Sequence, residues 1–153
     1  MKIDDHDRAI VDALQLDGRM SNVELAAQVH LSESACLRRL RGLEKSGLIE
    51  RYAAVVDPVK AGVPGNVFVH ITLTSQEQED LQAFEEAVRK VPEVMECYLM
   101  TGEFDYLVRV VVADTADFER IHSQTLTRLP CVARVQSSFA LRSVCKSSTL
   151  PIK

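Results

Sequence analysis

Arg38, Arg39, Arg41 and Lys45 fall within eight positions of a 153-residue chain whose formal net charge is −4. Guanidinium groups at this density can neutralise phosphates and donate in pairs to base edges, or they can simply solvate one face of a helix. The acidic average hides where the cations sit. Residues 1–31 hold Lys2, Arg8 and Arg19 against Asp4, Asp5, Asp7, Asp12, Asp17 and Glu24. Residues 32–51 hold Arg38, Arg39, Arg41, Lys45 and Arg51 against Glu33, Glu44 and Glu50. The second chemically suggestive stretch is Thr101-Gly102-Glu103-Phe104-Asp105-Tyr106. Gly102 lets a ligand approach the backbone, the Asp105 carboxylate can accept from an ammonium, and turn N–H groups can hold a carboxylate. Those are the needs of a free α-amino acid, although the same residue types also make an ordinary hairpin turn.

Other chemistries find little here. His6, His30, His70 and His122 lie in separate elements, none with a cysteine or carboxylate at metal-ligand spacing, so the chain offers no organised nucleophile, base or metal cluster. No catalytic residue, metal or cofactor is expected. Cys36, Cys97, Cys131 and Cys145 are unevenly spaced without a C-x-x-C pair and read as reduced, structural thiols. The N-terminus MKIDDHDRAI is acidic, and no apolar run reaches the roughly 18 residues that cross a bilayer, which points to a cytoplasmic protein.

The basic stretch belongs to a front third of three helices. Asp4 or Asp5 caps the first, whose Ala9, Ile10, Ala13, Leu14 and Leu16 recur at helical spacing up to Asp17-Gly18. Ser21 with Glu24 makes a capping box for a short second helix bearing Val23, Leu25, Ala26 and Val29. Ser32 caps the third, which stops at Ser46-Gly47, and LIERYAAVVDP reads as an extended segment ended by Pro58. His30 lies in the turn before the third helix, where a positive φ is expected. On a helical wheel Cys36, Leu37, Leu40 and Leu43 form a core stripe with Glu44 at its edge. Ser34, Ala35, Arg38, Arg41, Gly42 and Lys45 face away, and Arg39 flanks them. Two helices joined by a short turn, the second cationic outside and small at its N-terminal turn, suit a DNA major groove.

After DPVKAGVPGN the periodicity changes. NVFVHITLT alternates Val67, Val69, Ile71 and Leu73 against Phe68, His70 and Thr72. A helical stripe of Leu81, Phe84, Val88 and Val91 follows, then the strand candidates VMECYLM and DYLVRVVVA about TGEF. A second stripe carries Phe118, Ile121, Leu126 and Leu129, and CVARVQSSFALRSV closes as a long strand. This β-α-β-β-α-β order implies a four-stranded antiparallel sheet with both helices on one face. Phe68, Leu107 and Val111 would lie on the uncovered face and favour pairing of two copies. His70 and Arg109 share that parity, as interface groups or as solvated ones.

Taken in order, DDHDRAIVDALQLDGRMSNVELAAQVHLSESACLRRLRGLEKSGLIERYAAVVDP, FVHITL, VMECYLMTGEFDYLVRVVV and LTRLPCVARVQSSFAL resemble the leucine-responsive regulatory protein/AsnC, or feast/famine, family of transcription regulators. The resemblance implies an α+β chain: a winged-type helix-turn-helix domain over residues 1–52, a linker over 53–66, and a ferredoxin-like effector-binding and dimerisation domain over 67–153. It implies a sequence-specific regulator on the nucleoid, bound to pseudo-palindromic double-stranded DNA as a dimer or as an octamer, and responsive to a small effector, an amino acid. Ser32, Ser34, Ala35, Arg38, Arg39, Arg41 and Lys45 become DNA-contact candidates. Met100, Thr101, Gly102, Glu103, Phe104, Asp105 and Tyr106, with Ser137 and Ser138 of the last strand, become effector-site candidates. His30, where glycine is usual, and Gly42, where a larger residue is common, depart from the family pattern. An enzyme on the same scaffold, a DNA-compacting factor without an effector and a protein-binding winged-helix module are the rival readings.

Overall fold

The computed structural model describes residues 3–153. The described residues form two compact units, one of residues 3–55 together with Val144–Lys153, the other of Val56–Ser143.

In the first unit, helix α1 (Asp5–Leu16) starts where the Asp4 carboxylate accepts from the Asp7 N–H, with the Asp7 side chain reciprocating. Helix α2 (Asn22–Gln28) uses Ser21 and Glu24 in the same way, and α3 (Glu33–Lys45) is capped by Ser32, whose hydroxyl accepts from Ala35. Each cap supplies an acceptor to an N–H the helix itself leaves unpaired. The apolar stripes meet in a core containing Ile10, Leu14, Leu25, Val29, Cys36 and Leu43, with Leu31, Leu40 and Ile49 packed against it. Each fully buried Leu or Ile there contributes roughly 1.5–3 kcal/mol. Residues 50–57 take no ladder partner, so the extended stretch expected after α3 forms no strand. The tail Val144–Lys153 clusters with this unit, and Ile152 packs against its core.

The second unit runs β1 (Gly65–Leu73), α4 (Gln78–Val88), β2 (Val94–Leu99), β3 (Tyr106–Val112), α5 (Thr115–Gln124), a 3₁₀ turn (Leu126–Arg128) and β4 (Val132–Phe139). The strands form one antiparallel sheet in the order β2-β3-β1-β4. Val67, Val69, Ile71 and Leu73 of β1 and Tyr106, Val108, Val110 and Val112 of β3 are buried with Phe84, Val88, Ile121 and Leu126 of the helical segments. The alternate residues, Phe68, His70, Leu107, Arg109 and Val111, face the other side and stay half-buried. The second helical stripe is interrupted: Thr125 leaves the α region, and Leu126 returns to the core on the 3₁₀ turn. The last strand ends at Phe139, five residues short of its apolar pattern, with one further hydrogen bond from the Ala140 N–H to the Asn66 carbonyl of β1.

Gly65 opens β1 against Val112 of β3, and a Cβ built there would lie 2.9 Å from the Val112 carbonyl oxygen. Backbone cannot yield as a flexible side-chain tip can. Gly65→Ala is therefore expected to lower unfolding free energy by about 1–3 kcal/mol, measured by denaturant titration of the full chain.

Candidate nucleic-acid interface and ligand loop

The turn between α2 and α3 is set by His30, which takes φ +57°. Its N–H donates to the Ala27 carbonyl and that of Leu31 to the Ala26 carbonyl, a Schellman-type end to α2. Asn22 ties the two helices again, its side-chain amide donating to the Glu33 carbonyl at 2.9 Å. The start of α3 is thereby held in one orientation. Ser34, Arg38, Arg41, Gly42 and Lys45 are exposed along its outer face, and Ala35 is half-buried. Among the described residues no carboxylate lies within ion-pair reach of Arg38, Arg41 or Lys45. Ser32 is occupied as the cap, with the Ser34 hydroxyl 3.4 Å from its own.

Arg39 goes elsewhere. Its guanidinium donates to Asp4 at 2.7 Å and to Asp7 at 2.8 Å, so it clasps α3 to the start of α1 rather than standing on the outer face. The wheel placed it on the flank and could not show carboxylates arriving from a helix more than thirty residues away. The Asp7 N–H and then the Arg39 guanidinium hold the Asp4 carboxyl below its ordinary range.

The loop between β2 and β3 is closed by the Met100 N–H donating to the Asp105 carbonyl (2.8 Å) and by the Asp105 N–H donating to the Ile71 carbonyl (2.9 Å). Gly102 takes φ +117°, open to glycine and costly for any other residue. Met100, Thr101, Gly102 and Glu103 are exposed. Asp105 is not: it is 6% exposed, one carboxylate oxygen accepting from the Leu73 N–H and the other from the Gln76 amide, both at 2.7 Å. Its carboxylate braces the loop onto the end of β1. Phe104 turns onto the uncovered sheet face and stacks on His70, ring centroids 4.0 Å apart and planes 10° apart. Tyr106 is a core residue packed on Phe84, its hydroxyl donating to Glu85.

Ser137 and Ser138, grouped by sequence, part company. Ser138 pairs with Phe68 on the uncovered face, whereas Ser137 pairs with Val69 on the helix-covered face, its hydroxyl buried and without a hydrogen bond. A cavity of about 350 Å³ opens between α4 and the edge strand β2, lined by residues including Glu85, Val88, Arg89, Cys97, Leu99 and Tyr106, apart from Met100–Asp105. Burial, with Glu85 nearby, pushes the Cys97 thiol up to about 11, so it sits there as a neutral apolar group. All four cysteines are free thiols, no helix among the described residues is long and apolar enough to cross a membrane, and no cluster of metal ligands occurs among them. Gln76 and the His70–Phe104 stack escaped sequence reasoning. His70 was visible only as a residue of the correct parity, since its partner lies 34 positions on.

Replacing His30 by glycine removes the left-handed penalty and adds chain entropy to the unfolded state. His30→Gly is expected to gain about 0.5–1 kcal/mol of stability in thermal unfolding. Because the native Asp4 pKa is depressed, its contribution is full above the ordinary value of 3.8 and is lost as pH falls through the lower native value. Between pH 5 and 2.5, Asp4→Asn should therefore show a shallower fall in melting temperature than wild type.

Comparison with known proteins agrees with this anatomy. The AsnC-type helix-turn-helix domain matches residues 3–44 and the Lrp/AsnC ligand binding domain matches residues 66–150. The leucine-responsive regulatory protein of Escherichia coli strain K12 is 40% identical over 151 residues, 99% of this chain and 92% of its own. An uncharacterised HTH-type transcriptional regulator of Sinorhizobium fredii is 50% identical over 117 residues, 76% of this chain and 92% of its own. Among solved structures, a transcriptional regulator of Neisseria meningitidis in complex with L-methionine superposes with a TM-score of 0.94 at 36% identity, covering 98% of this chain and 97% of that one. With an AsnC-type helix-turn-helix unit and an Lrp/AsnC ligand-binding unit on one chain, this protein belongs to the Lrp/AsnC family of transcriptional regulators, which are not enzymes.

Proposed function

We propose that α3 enters the major groove of a pseudo-palindromic operator, Ser34 and Arg38 at base edges with Ala35 allowing close approach, and Arg41 and Lys45 on phosphates. The observation that carries this reading is the sorting of the α3 cations: Arg39 is spent on Asp4 and Asp7, while Arg38, Arg41 and Lys45 stay exposed and, among the described residues, free of carboxylates. Two such helices, from a homodimer or a higher assembly up to the octamer, would meet half-sites about one helical turn apart. Such a regulator works in the cytoplasm, on the nucleoid.

The effector is an α-amino acid with an apolar side chain, held at the exposed backbone of Met100–Glu103, with Gly102 permitting close approach. L-Methionine, the ligand of the Neisseria regulator, is the first choice. Phe104 stacks on His70 of the uncovered face, so a ligand that moves the loop moves the face where Phe68, Leu107 and Val111 would receive a second copy. Coupling of about 1–3 kcal/mol would change operator affinity roughly 5- to 150-fold.

Fluorescence anisotropy on the protein's own promoter DNA, with excess competitor, tests the DNA half. Arg38→Ala should weaken binding about tenfold and relax specificity, while Lys45→Ala should weaken all sequences alike and lower the salt slope by about one. Equal binding to promoter and competitor would remove it. A thermal-shift panel of twenty amino acids, followed by sizing with the best hit, tests the effector half. A hit that Gly102→Val abolishes while the fold persists is expected; no shift and no change of assembly across the panel would remove it.

A further inference from the structure

The chain leaves the helix-turn-helix unit after Val55 and re-enters it at Val144, so the ligand unit is inserted between two pieces of the DNA-binding unit. The returning piece is held specifically. The Gln15 side-chain amide of α1 donates through Nε2 to the Leu150 carbonyl at 3.0 Å, and the Leu150 N–H donates to the side-chain oxygen Oε1 of Gln15 at 2.6 Å. One side chain thus satisfies both polar groups of a single residue, as a neighbouring strand would. Two residues on, Ile152 packs on the core that holds Ile10, Leu14 and Leu25. Pro151 between them restricts its own φ and keeps Leu150 extended. Charge also matches: residues 140–153 carry Arg142, Lys146 and Lys153 with no acidic side chain, whereas Asp12 and Asp17 flank Gln15 in sequence.

We infer that residues 149–153 are a recognition peptide for the chain's own α1 surface, with Gln15 and Ile152 as its two anchors, and that this docked strap stiffens the helix-turn-helix unit for DNA. The strap follows β4, which carries Ser137 and Ser138, with only residues 140–148 between. The unit that reads DNA therefore has a second covalent connection to the unit that takes the effector, besides the segment after α3. The docking itself is a property of the folded chain alone; its consequence for operator binding rests on the DNA-binding reading above.

Hydrogen exchange of the full-length protein without DNA or ligand, compared with a chain ending at Ser148 and with the full-length variants Gln15→Ala and Ile152→Asp, tests the strap. Two hydrogen bonds and one half-buried apolar side chain should give α1 amides roughly tenfold less protection in each variant, with the ligand unit unchanged. Gln15→Ala in the shortened chain should add nothing further, because both changes remove the same contact. In anisotropy the shortened chain should bind promoter DNA roughly 3- to 10-fold more weakly, and the amino-acid thermal shift of the ligand unit should persist. Equal protection of α1 in all four proteins, or additive effects of Gln15→Ala and truncation, would overturn the strap. Loss of protection with unchanged DNA affinity would overturn its role in DNA binding while leaving the docking in place. Because exchange is read without DNA or effector, it stands even if the functional reading above fails.

Discussion

Both helices of the ligand unit lie on one face of a four-stranded sheet, and that one-sidedness governs the rest of the unit. Burial of Val67, Val69, Ile71, Val108 and Val110 against Phe84, Val88 and Ile121 stabilises the fold without help from the other face. Phe68, His70, Leu107, Arg109 and Val111 are therefore free to serve something other than folding. Arg109 already reaches Glu96 and Asn66 across three strands, and His70 carries the Phe104 ring. A polar lattice with apolar residues between its members suits a reversible contact better than a purely apolar face would, since its groups are paired before association as well as after it.

In the DNA-binding unit the decisive interaction is the Arg39 clasp. A helix with three arginines in four positions of an acidic protein has no shortage of carboxylates to collapse onto. Asp4 and Asp7 take Arg39, whose position on the α3 wheel faces α1, and Asp5 pairs with Arg8 on its own helix. The outer cations remain exposed, so placing them on phosphate would require no ion pair to be broken first. The acidic remainder of the chain then restricts the orientations in which a polyanion can approach.

Much of this was legible in the residues. Ser21-x-x-Glu24 and Ser32 mark helix starts because only a short side chain with an acceptor satisfies the exposed N–H groups, and both proved to be caps. The alternation of β1 and β3 was equally readable, since a half-covered sheet imposes it. The edge strand β2 was harder. It carries a register shift between Val94 and Glu96 and leaves Met95, Tyr98 and Leu99 exposed, so its apolar run overstates its burial. In the loop, the need for glycine at position 102 was visible from type alone. The inward turn of Asp105 was not, because nothing local distinguishes a carboxylate that accepts from a ligand from one that accepts from Leu73 and Gln76.

Local chemistry in the sequence determined the elements, their order, the core stripes and the cationic face of α3, because caps, periodicity and glycine positions act over a few residues. Tertiary structure alone decided which like residues do different work. It separated Arg39 from Arg38 and Ser137 from Ser138, buried Asp105 beneath its own loop, stacked Phe104 on His70 and returned Leu150 and Ile152 to α1. Each of these is a pairing between positions distant in the chain, and the free energy of such a pair belongs to the geometry that brings its members together.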